Sequence, residues 1–125
     1  AHSAAFDLYA AESKEIPGWS RDLITTGLKL ADCPEDVYLR IAPRSGLAVR
    51  GFDIGAGVVD SDYRGPVKIL FINNTATPHT VDVGDRIAQM VPERIRTDLY
   101  CVICGLEVSD CLRKVRGEGG FGSTD

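Results

Sequence analysis

The chain has 125 residues, enough for one domain with a sizeable core, and its 14 lysines and arginines against 18 aspartates and glutamates give a formal net charge of −4. An acidic chain is a poor match for nucleic acid, so an anionic ligand would need a local cluster of donors. Because no long apolar stretch and no signal-peptide pattern are present, we expect no membrane partner and an intracellular location, in the cytoplasm or nucleus.

Short apolar runs, each bounded by Gly, Pro, Asp or Asn, follow one another along the chain. This spacing is typical of an all-β sandwich or barrel, and no segment keeps a long helical period. The run VKILFIN (residues 67–73) is apolar at nearly every position and predicts a strand buried on both faces. The run TVDVGDRI (residues 80–87) alternates and predicts a half-buried strand.

The first polar residue inside an apolar run is Asp7, in AAFDLYAAE (residues 4–12). A lone buried carboxylate is costly, so this position predicts a nearby cation, hydrogen-bond donors or a hydrated metal ion. Asp7 is therefore a candidate partner of water around Mg²⁺.

The segment PRSGLA (residues 43–48) follows a predicted strand and reads as a turn. Arg44 offers a planar fork of donors, Ser45 adds a hydroxyl and Gly46 frees backbone N–H groups, a combination that suits phosphate oxygens. A plain turn with a surface arginine is an equally good interpretation of this segment alone.

The segment GAGVVDSDYRG (residues 55–65) predicts a β-hairpin with an acidic turn. A carboxylate at a strand end, near a planar ring, can serve as general base for a water molecule. Spacing does not choose between Asp60 and Asp62 for that role, and an ordinary acidic turn is the alternative.

The segment GDRIAQM (residues 84–90) carries Gln89 inside an apolar strand. A buried amide needs partners, so Gln89 either satisfies nearby backbone or faces a polar site. Asp85 and Arg86 are more simply a turn and an ion pair.

The C-terminal segment RGEGGFGSTD (residues 116–125) contains four glycines and is the one low-complexity stretch of the sequence. A flexible linker has no use for Arg116, Phe121, Ser123 and Thr124, whereas a flap that closes over a charged aromatic ligand needs that mixture.

Other candidate sites are weaker. Cys101 and Cys104 form a CxxC pair, but His2 and His79 are isolated, so buried thiols are favoured over a zinc site. The sequon at residues 73–75 has no meaning without secretion. Together, the stronger segments indicate phosphoanhydride chemistry on a nucleotide.

Five segments, taken in order, resemble the five motifs of the trimeric dUTP pyrophosphatases (dUTPases) and extend from residue 4 to residue 124: AAFDLYA, PRSGLA, GVVDSDYRG, GDRIAQM and RGEGGFGST. The resemblance implies a β jelly roll of the β-clip type with a flexible glycine-rich tail. It also implies a homotrimer whose active sites are shared between subunits. Residues 1–115 would form the β domain and residues 116–125 its flap.

The same resemblance implies hydrolysis of dUTP to dUMP and pyrophosphate with Mg²⁺ held mainly by the triphosphate, a reaction that keeps uracil out of DNA. Asp60 matches the family's catalytic carboxylate, which activates the attacking water. Asp62 would then have only a structural role. Tyr63 matches the ring that packs on the deoxyribose, and Asp7 the partner of metal-bound water. The remaining substrate contacts implied are Arg44, Ser45, Gly46, Gln89, the backbone of Gly57, Val58 and Val59, and the tail residues Arg116, Phe121, Gly122, Ser123 and Thr124.

Two other functions compete with this one. A dCTP deaminase shares the fold but differs around the hairpin and the tail, and a non-catalytic dUTPase-like signalling module would have lost turnover. Ala5 and Asp125 stand where the dUTPases usually have glycine.

Overall fold

The computed structural model of the chain describes residues 4–96, 98, 102–103, 106–107 and 120–122. These residues form eleven strands and one short helix, so the expected all-β class is confirmed. The strands are β1 (Phe6–Tyr9), β2 (Lys14–Ile16), β3 (Ser20–Lys29), β4 (Val37–Ala42), β5 (Phe52–Gly55), β6 (Val58–Val59), β7 (Pro66–Asn73), β8 (His79–Val81), β9 (Arg86–Arg94), β10 (Val102–Ile103) and β11 (Leu106–Glu107), and the helix is α1 (Ser45–Val49).

The strands pair antiparallel in two larger sheets and two small ones. One larger sheet has the order β1-β9-β4-β6 and the other the order β3-β7-β5, while β2 pairs with β8 and β10 with β11. Both larger sheets contribute to one apolar core, as expected for a jelly roll. Its fully buried side chains include Leu8, Ile16, Ile24, Val67, Ile69, Phe71 and Val81.

Strand β7 is buried on one face, so the predicted burial of both faces is wrong. Val67, Ile69 and Phe71 are buried and alternate with the exposed Lys68 and the half-buried Leu70. The alternation arises because only one face of a two-layer sheet meets the core. The side chain of Leu70 packs over Gly55, where an added Cβ would lie 2.7 Å from Leu70 Cδ2.

The run TVDVGDRI is two strands rather than one. A turn at residues 82–85 separates β8 from β9, with the Asp85 N–H donating to the Asp82 carbonyl at 3.0 Å. The Asp82 N–H donates in return to Asp85 Oδ2 at 2.9 Å. Gly84 supplies the left-handed backbone of this turn, at φ 90°. Periodicity gave no sign of it because Val81 and Val83 continue the alternation through the turn.

The segment PRSGLA contains the helix α1 where a turn was expected. Arg44 is its N-cap in extended conformation, and its carbonyl accepts the Ala48 N–H at 2.9 Å. Only one turn long, this helix has no amphipathic repeat from which a sequence pattern could identify it.

The segment GAGVVDSDYRG does not form a hairpin of two mutually paired strands. Strand β5 pairs with β7, whereas β6 pairs with β4 in the other sheet. Ala56 and Gly57, at φ 58° and 94°, make the crossing between the sheets. A non-glycine residue at positive φ is uncommon, so Ala56 marks a position where the fold overrides local preference.

The buried Asn73 ties three segments together. Its Nδ2 lies 3.2 Å from the carbonyl oxygens of Ile16 and Pro17 and 2.9 Å from that of Thr77. Its Oδ1 accepts the Thr75 N–H at 3.0 Å and the Thr75 hydroxyl at 2.7 Å. The side chain is 0% exposed, so the sequon at residues 73–75 has no accessible amide, in agreement with its dismissal above.

No helix within the described ranges has the length and apolarity needed to cross a bilayer.

The hydrogen bonds of Asn73 predict a large effect on stability. Asn73→Ala removes a fully buried amide that bonds to one buried and three part-buried backbone groups, and we expect the free energy of unfolding to fall by about 2–4 kcal/mol. Urea denaturation at one protein concentration measures it. The matched control is Asn74→Ala, whose side chain is exposed and which we expect to stay within about 0.5 kcal/mol of the parent chain. Equal effects in the two variants would contradict the prediction.

Candidate active site

Three of the sequence segments meet on neighbouring strands. Asp7 on β1 lies opposite Gln89 on β9, and Gln89 lies opposite Ala42 at the end of β4. Arg44 follows two residues later. Strand register therefore brings residues far apart in the sequence to one edge of the sheet.

Asp7 is paired with two arginines. Its Oδ1 lies 3.3 Å from Arg44 Nε and its Oδ2 lies 3.6 Å from Arg86 Nη1, and its side chain is 35% exposed. The expectation of a buried carboxylate is thus wrong, because the carboxylate lies at the sheet edge, and the partner found is a cation. Exposed ion pairs add little stability, so the effect of Asp7 is to hold two guanidinium groups side by side.

Gln89 bonds to backbone, one of the two alternatives left open above. Its Nε2 donates to the Pro43 carbonyl at 3.0 Å, and the side chain is half-buried. This hydrogen bond fixes the chain immediately before Arg44.

Gly46 lies in α1, and no described contact within the chain requires a glycine at this position. A Cβ added there meets nothing within 4 Å, and glycine within a helix costs about 1 kcal/mol relative to alanine. Ser45, beside it, is exposed. A glycine that no described contact requires is consistent with close approach of another molecule.

A narrow, largely aliphatic cavity of about 130 Å³ lies beside the crossing between the sheets. A side chain is excluded at Gly57, because an added Cβ would lie 2.8 Å from the Ile41 carbonyl oxygen. The Ile41 N–H donates to the Gly57 carbonyl at 2.7 Å. The lining includes Gly57, Val58, Val59, Asp60, Tyr63, Gly120 and Phe121. Of the two candidate carboxylates, Asp60 lines this cavity.

The loop that carries Asp60 is held by hydrogen bonds from both ends. The Tyr63 N–H donates to the Asp60 carbonyl at 3.1 Å, and the Tyr63 hydroxyl donates to the Pro66 carbonyl at 2.7 Å. Arg64 Nη1 donates to the carbonyls of Ser61 and Tyr63 at 2.8 and 2.9 Å. Arg64 was not singled out from the sequence, because spacing does not reveal an arginine that folds back onto its own loop.

Phe121 lies at the same cavity as Asp60 and Tyr63. It has φ 47° and is 55% exposed, and Gly120 lies so close to Tyr63 that an added Cβ would be 3.6 Å from Tyr63 Cε1. Gly122 follows, exposed and at φ 100°. The other residues named above, Arg116, Ser123, Thr124, Asp125, Cys101, Cys104 and His2, lie outside the described residues.

A second cavity, of about 410 Å³, has a different character. Three guanidinium groups face it, and none of its lining residues lines the narrow cavity. The lining consists of Arg44, Gly46, Leu47, Arg50, Phe71, His79, Asp85, Arg86 and Ile87. His79, expected to be isolated, has its ring centroid 4.4 Å from that of Phe52. In the described part of the chain, the candidate active site therefore consists of two separate cavities, one aliphatic and one cationic.

Comparison with known proteins identifies the family. The dUTPase family model matches residues 1–125. The chain is 51% identical over 124 residues to the deoxyuridine 5'-triphosphate nucleotidohydrolase of Yarrowia lipolytica, covering 98% of this chain and 76% of that protein. It is 47% identical over 123 residues to the protein of that name from Arabidopsis thaliana, covering 98% and 70%.

The chain belongs to the dUTPase family.

Solved dUTPase structures share the fold. A native EIAV dUTPase superposes with a TM-score of 0.74 at 21% identity, covering 83% of this chain and 86% of that one. A variant of the Staphylococcus bacteriophage 80alpha dUTPase, in a structure with dUpNHpp, reaches 0.75 at 22% identity, covering 98% and 86%. The likeness supports the jelly-roll-like architecture expected from the motifs.

The described residues of this dUTPase family member do not form a metal cage. No group of three or more His, Cys, Asp or Glu side chains comes together among them. Mg²⁺ commonly keeps several waters and binds through one or two carboxylates plus substrate phosphates. Both oxygens of Asp7 are paired with arginines, so Asp7 would contact a Mg²⁺ ion held by substrate phosphates only through water. A phage phi11 dUTPase is described as coordinating a structural Mg(II) ion.

The hydrogen bonds of Arg64 predict a loop that loosens when they are removed. In Arg64→Gln the two carbonyls lose their charged donor, and we expect amide hydrogen exchange at residues 61–65 to become roughly tenfold faster. Mass spectrometry of exchanging peptides measures it. Arg94→Gln, which alters an arginine that is 88% exposed, is the control and should leave this loop unchanged. Unchanged exchange in Arg64→Gln would show that the loop is held by other contacts.

Proposed function

We propose that this chain hydrolyses dUTP to dUMP and pyrophosphate and thereby keeps uracil out of DNA. The observation that carries the proposal is the position of Asp60 and Tyr63 on one narrow cavity, in a member of the dUTPase family. An intracellular location, in the cytoplasm or nucleus, belongs to the proposal because nucleoside triphosphates are made and used inside cells.

The narrow cavity is proposed to bind the uracil and the deoxyribose. Gly57, Val58 and Val59 line a space of about 130 Å³, which suits one small planar ring and leaves little room for a larger base; their backbone groups are proposed to read the uracil edge. The Tyr63 ring is held by its hydroxyl on the Pro66 carbonyl, so it cannot easily move aside for a 2′-hydroxyl. A rigid wall of this kind discriminates dUTP from UTP by exclusion.

Arg44, Ser45, Gly46 and Gln89 are proposed to bind the phosphates. Guanidinium groups suit phosphate oxygens because of their planar fork, and Asp7 keeps that of Arg44 in place. Gly46 lets the chain approach closely. In this scheme Gln89 acts partly through the Pro43 carbonyl, which positions the phosphate-binding segment.

Asp60 is proposed to act as general base. It takes a proton from water as the water oxygen forms a bond to the α-phosphorus, and the bond from that phosphorus to the bridging oxygen of pyrophosphate breaks. The products are dUMP and pyrophosphate. Positioning and charge neutralisation supply most of the rate in phosphoryl chemistry of this kind.

Mg²⁺ is the proposed cofactor, held chiefly by the triphosphate and by water that Asp7 contacts. When bound, it supplies positive charge that offsets the charge on the phosphate oxygens.

A homotrimer with shared active sites is proposed as the working assembly. Support comes from the two cavities, which have no lining residue in common. It also comes from two exposed apolar side chains, Val49 at the end of α1 and Val58 on the aliphatic cavity, which are 88% and 64% exposed. Pairing the aliphatic cavity of one subunit with the cationic cavity of another would complete a nucleotide site. Residues 116–125 are the proposed flap of the same domain, with Arg116, Ser123 and Thr124 on phosphates and Phe121 and Gly122 at the base.

The function is tested by pyrophosphate release from dUTP in the presence of Mg²⁺, with dCTP, dTTP and UTP as comparisons. Asp60→Asn should lower turnover by at least about 100-fold and still bind dUTP, because the amide cannot accept a proton from water. Asp62→Asn is the matched control and should keep most activity. Absence of pyrophosphate release by the parent chain, or ammonia release from dCTP, would overturn the proposed function. Full activity of Asp60→Asn would remove Asp60 from the mechanism.

The flap is tested by deleting residues 116–125. We expect the shortened chain to keep its circular dichroism and its oligomeric state but to lose nearly all turnover, because the flap would close over the bound triphosphate and complete the site. A variant with Phe121→Ala alone should retain the phosphate contacts and fall between the parent and the deletion. Turnover that survives the deletion would show that the segment has no catalytic role.

A further inference from the structure

The cationic cavity contains two side chains that none of the roles above includes. Arg50 is the C-cap residue directly after α1, and His79 is the first residue of β8. Both line the cavity of about 410 Å³ together with Arg44 and Arg86. This volume lies in the range of about 300–1,000 Å³ that is usual for small-molecule sites.

Both side chains rest on buried aromatic rings. The Arg50 guanidinium carbon lies 5.6 Å from the centroid of the Phe52 ring. The His79 ring lies 4.4 Å from Phe52 and 5.8 Å from Phe71, and is nearly parallel to Phe71, at 13°. Cation–π and ring contacts of this kind limit how freely the two side chains move. The cavity therefore has a partly ordered cationic wall.

The charges around the cavity are unbalanced. Arg44 and Arg86 share the single carboxylate of Asp7, and Arg50 forms no ion pair with any carboxylate that the structure describes. Asp85, the acidic residue on the lining, accepts the Asp82 N–H at 2.9 Å and offsets part of this positive charge. Three guanidinium groups are therefore matched by only two carboxylates, those of Asp7 and Asp85. In a chain with a net charge of −4, three guanidinium groups around one cavity form a local site for an anion.

We propose that this cavity binds a pyrophosphate group, with Arg50 and His79 adding to the contacts of Arg44 and Arg86. The inference rests on the proposed function, since the group is either the β,γ end of dUTP or the free product. It extends that function by naming two further binding residues. They favour a triphosphate over a monophosphate and increase inhibition by the product.

His79 makes this binding depend on pH. Burial lowers the pKa of His79, and the positive charge of Arg50 lowers it further, while Asp85 and Asp82 oppose the shift. Arg44 and Arg86 also face the cavity and favour the neutral ring. A bound anion reverses this balance and raises the pKa of His79. Affinity for pyrophosphate therefore rises as pH falls through the pKa of His79 in the complex, and levels off below its pKa in the free protein.

Isothermal titration of the full chain with inorganic pyrophosphate tests the site, with dUMP as the second probe. Arg50→Gln should weaken pyrophosphate binding about tenfold at pH 7, and His79→Phe should do so about tenfold at pH 5.5. Neither variant should change the binding of dUMP. His79→Phe keeps an aromatic ring against Phe52. Arg21→Gln removes an exposed arginine on β3 and should bind both probes as the parent does.

A pH series from 7.5 to 5.5 separates His79 from the titration of pyrophosphate itself. The ratio of parent to His79→Phe affinity should grow as pH falls. A constant ratio, parent-like binding by both variants, or equal loss for dUMP would overturn the proposal. Arg50→Lys, which keeps the charge, should lie near the parent, and a tenfold loss there would also count against it.

Two readouts keep this inference apart from the proposed function. The Michaelis constant for dUTP should rise in Arg50→Gln if the β,γ end of the substrate occupies the cavity, whereas inhibition by added pyrophosphate should weaken if the product does. A parent chain that hydrolyses dUTP while the variants bind pyrophosphate normally refutes only this site. A parent chain that lacks turnover but shows the variant effects refutes only the function.

Discussion

The C-terminal end of strand β4 connects the two parts of the candidate site. The Ile41 N–H donates to the Gly57 carbonyl at 2.7 Å, and the Pro43 carbonyl accepts the Gln89 amide at 3.0 Å. Arg44 comes next in the chain. Within a few residues, one strand end therefore fixes both the crossing that shapes the aliphatic cavity and the segment that carries Arg44, the arginine proposed to bind phosphate. Because β4 is paired on both sides, by β9 and β6, this end has little freedom to move.

Stability and function have separate sources in this fold. The core is a single apolar cluster shared by both larger sheets, and its burial drives folding. The polar groups of the site are mostly half-buried or exposed, and their ion pairs contribute little to stability. What these polar contacts provide is position: the ion pairs of Asp7 hold two guanidinium groups together, and the hydrogen bonds of Arg64 to two carbonyls hold the loop that carries Asp60. The main exception is Asn73, a polar residue inside the core that fixes loops by hydrogen bonds.

The acidic net charge and the cationic cavity are compatible because they act over different distances. At physiological salt, charges more than about 8 Å apart are largely screened, so an anion near the cavity responds mainly to the guanidinium groups around it. Arg50 and His79 strengthen this local field at positions where aromatic rings support them. A chain of overall negative charge can in this way favour a highly charged ligand at one place.

The sequence by itself determined the class of fold, the family and the residue types of the site. Short apolar runs with turn residues between them required β structure, and motifs in order were specific enough to identify the dUTPase family. Local chemistry was also visible in the sequence, as in the suitability of the Arg44 guanidinium for phosphate oxygens or the need of Gln89 for a hydrogen-bond partner. These features depend on composition and on the spacing of residues that are near each other in sequence, so they can be recognised without the tertiary structure.

Only the tertiary structure decided which residues meet. Register placed Asp7 opposite Gln89, the crossing at Ala56 and Gly57 separated two strands that looked like a hairpin, and packing brought His79 to Arg50 and Phe52. Periodicity did not predict the turn at residues 82–85 or the exposed face of β7. The physical reason is that strand pairing and burial depend on contacts between segments distant in sequence, and local preference is weak enough for those contacts to override it.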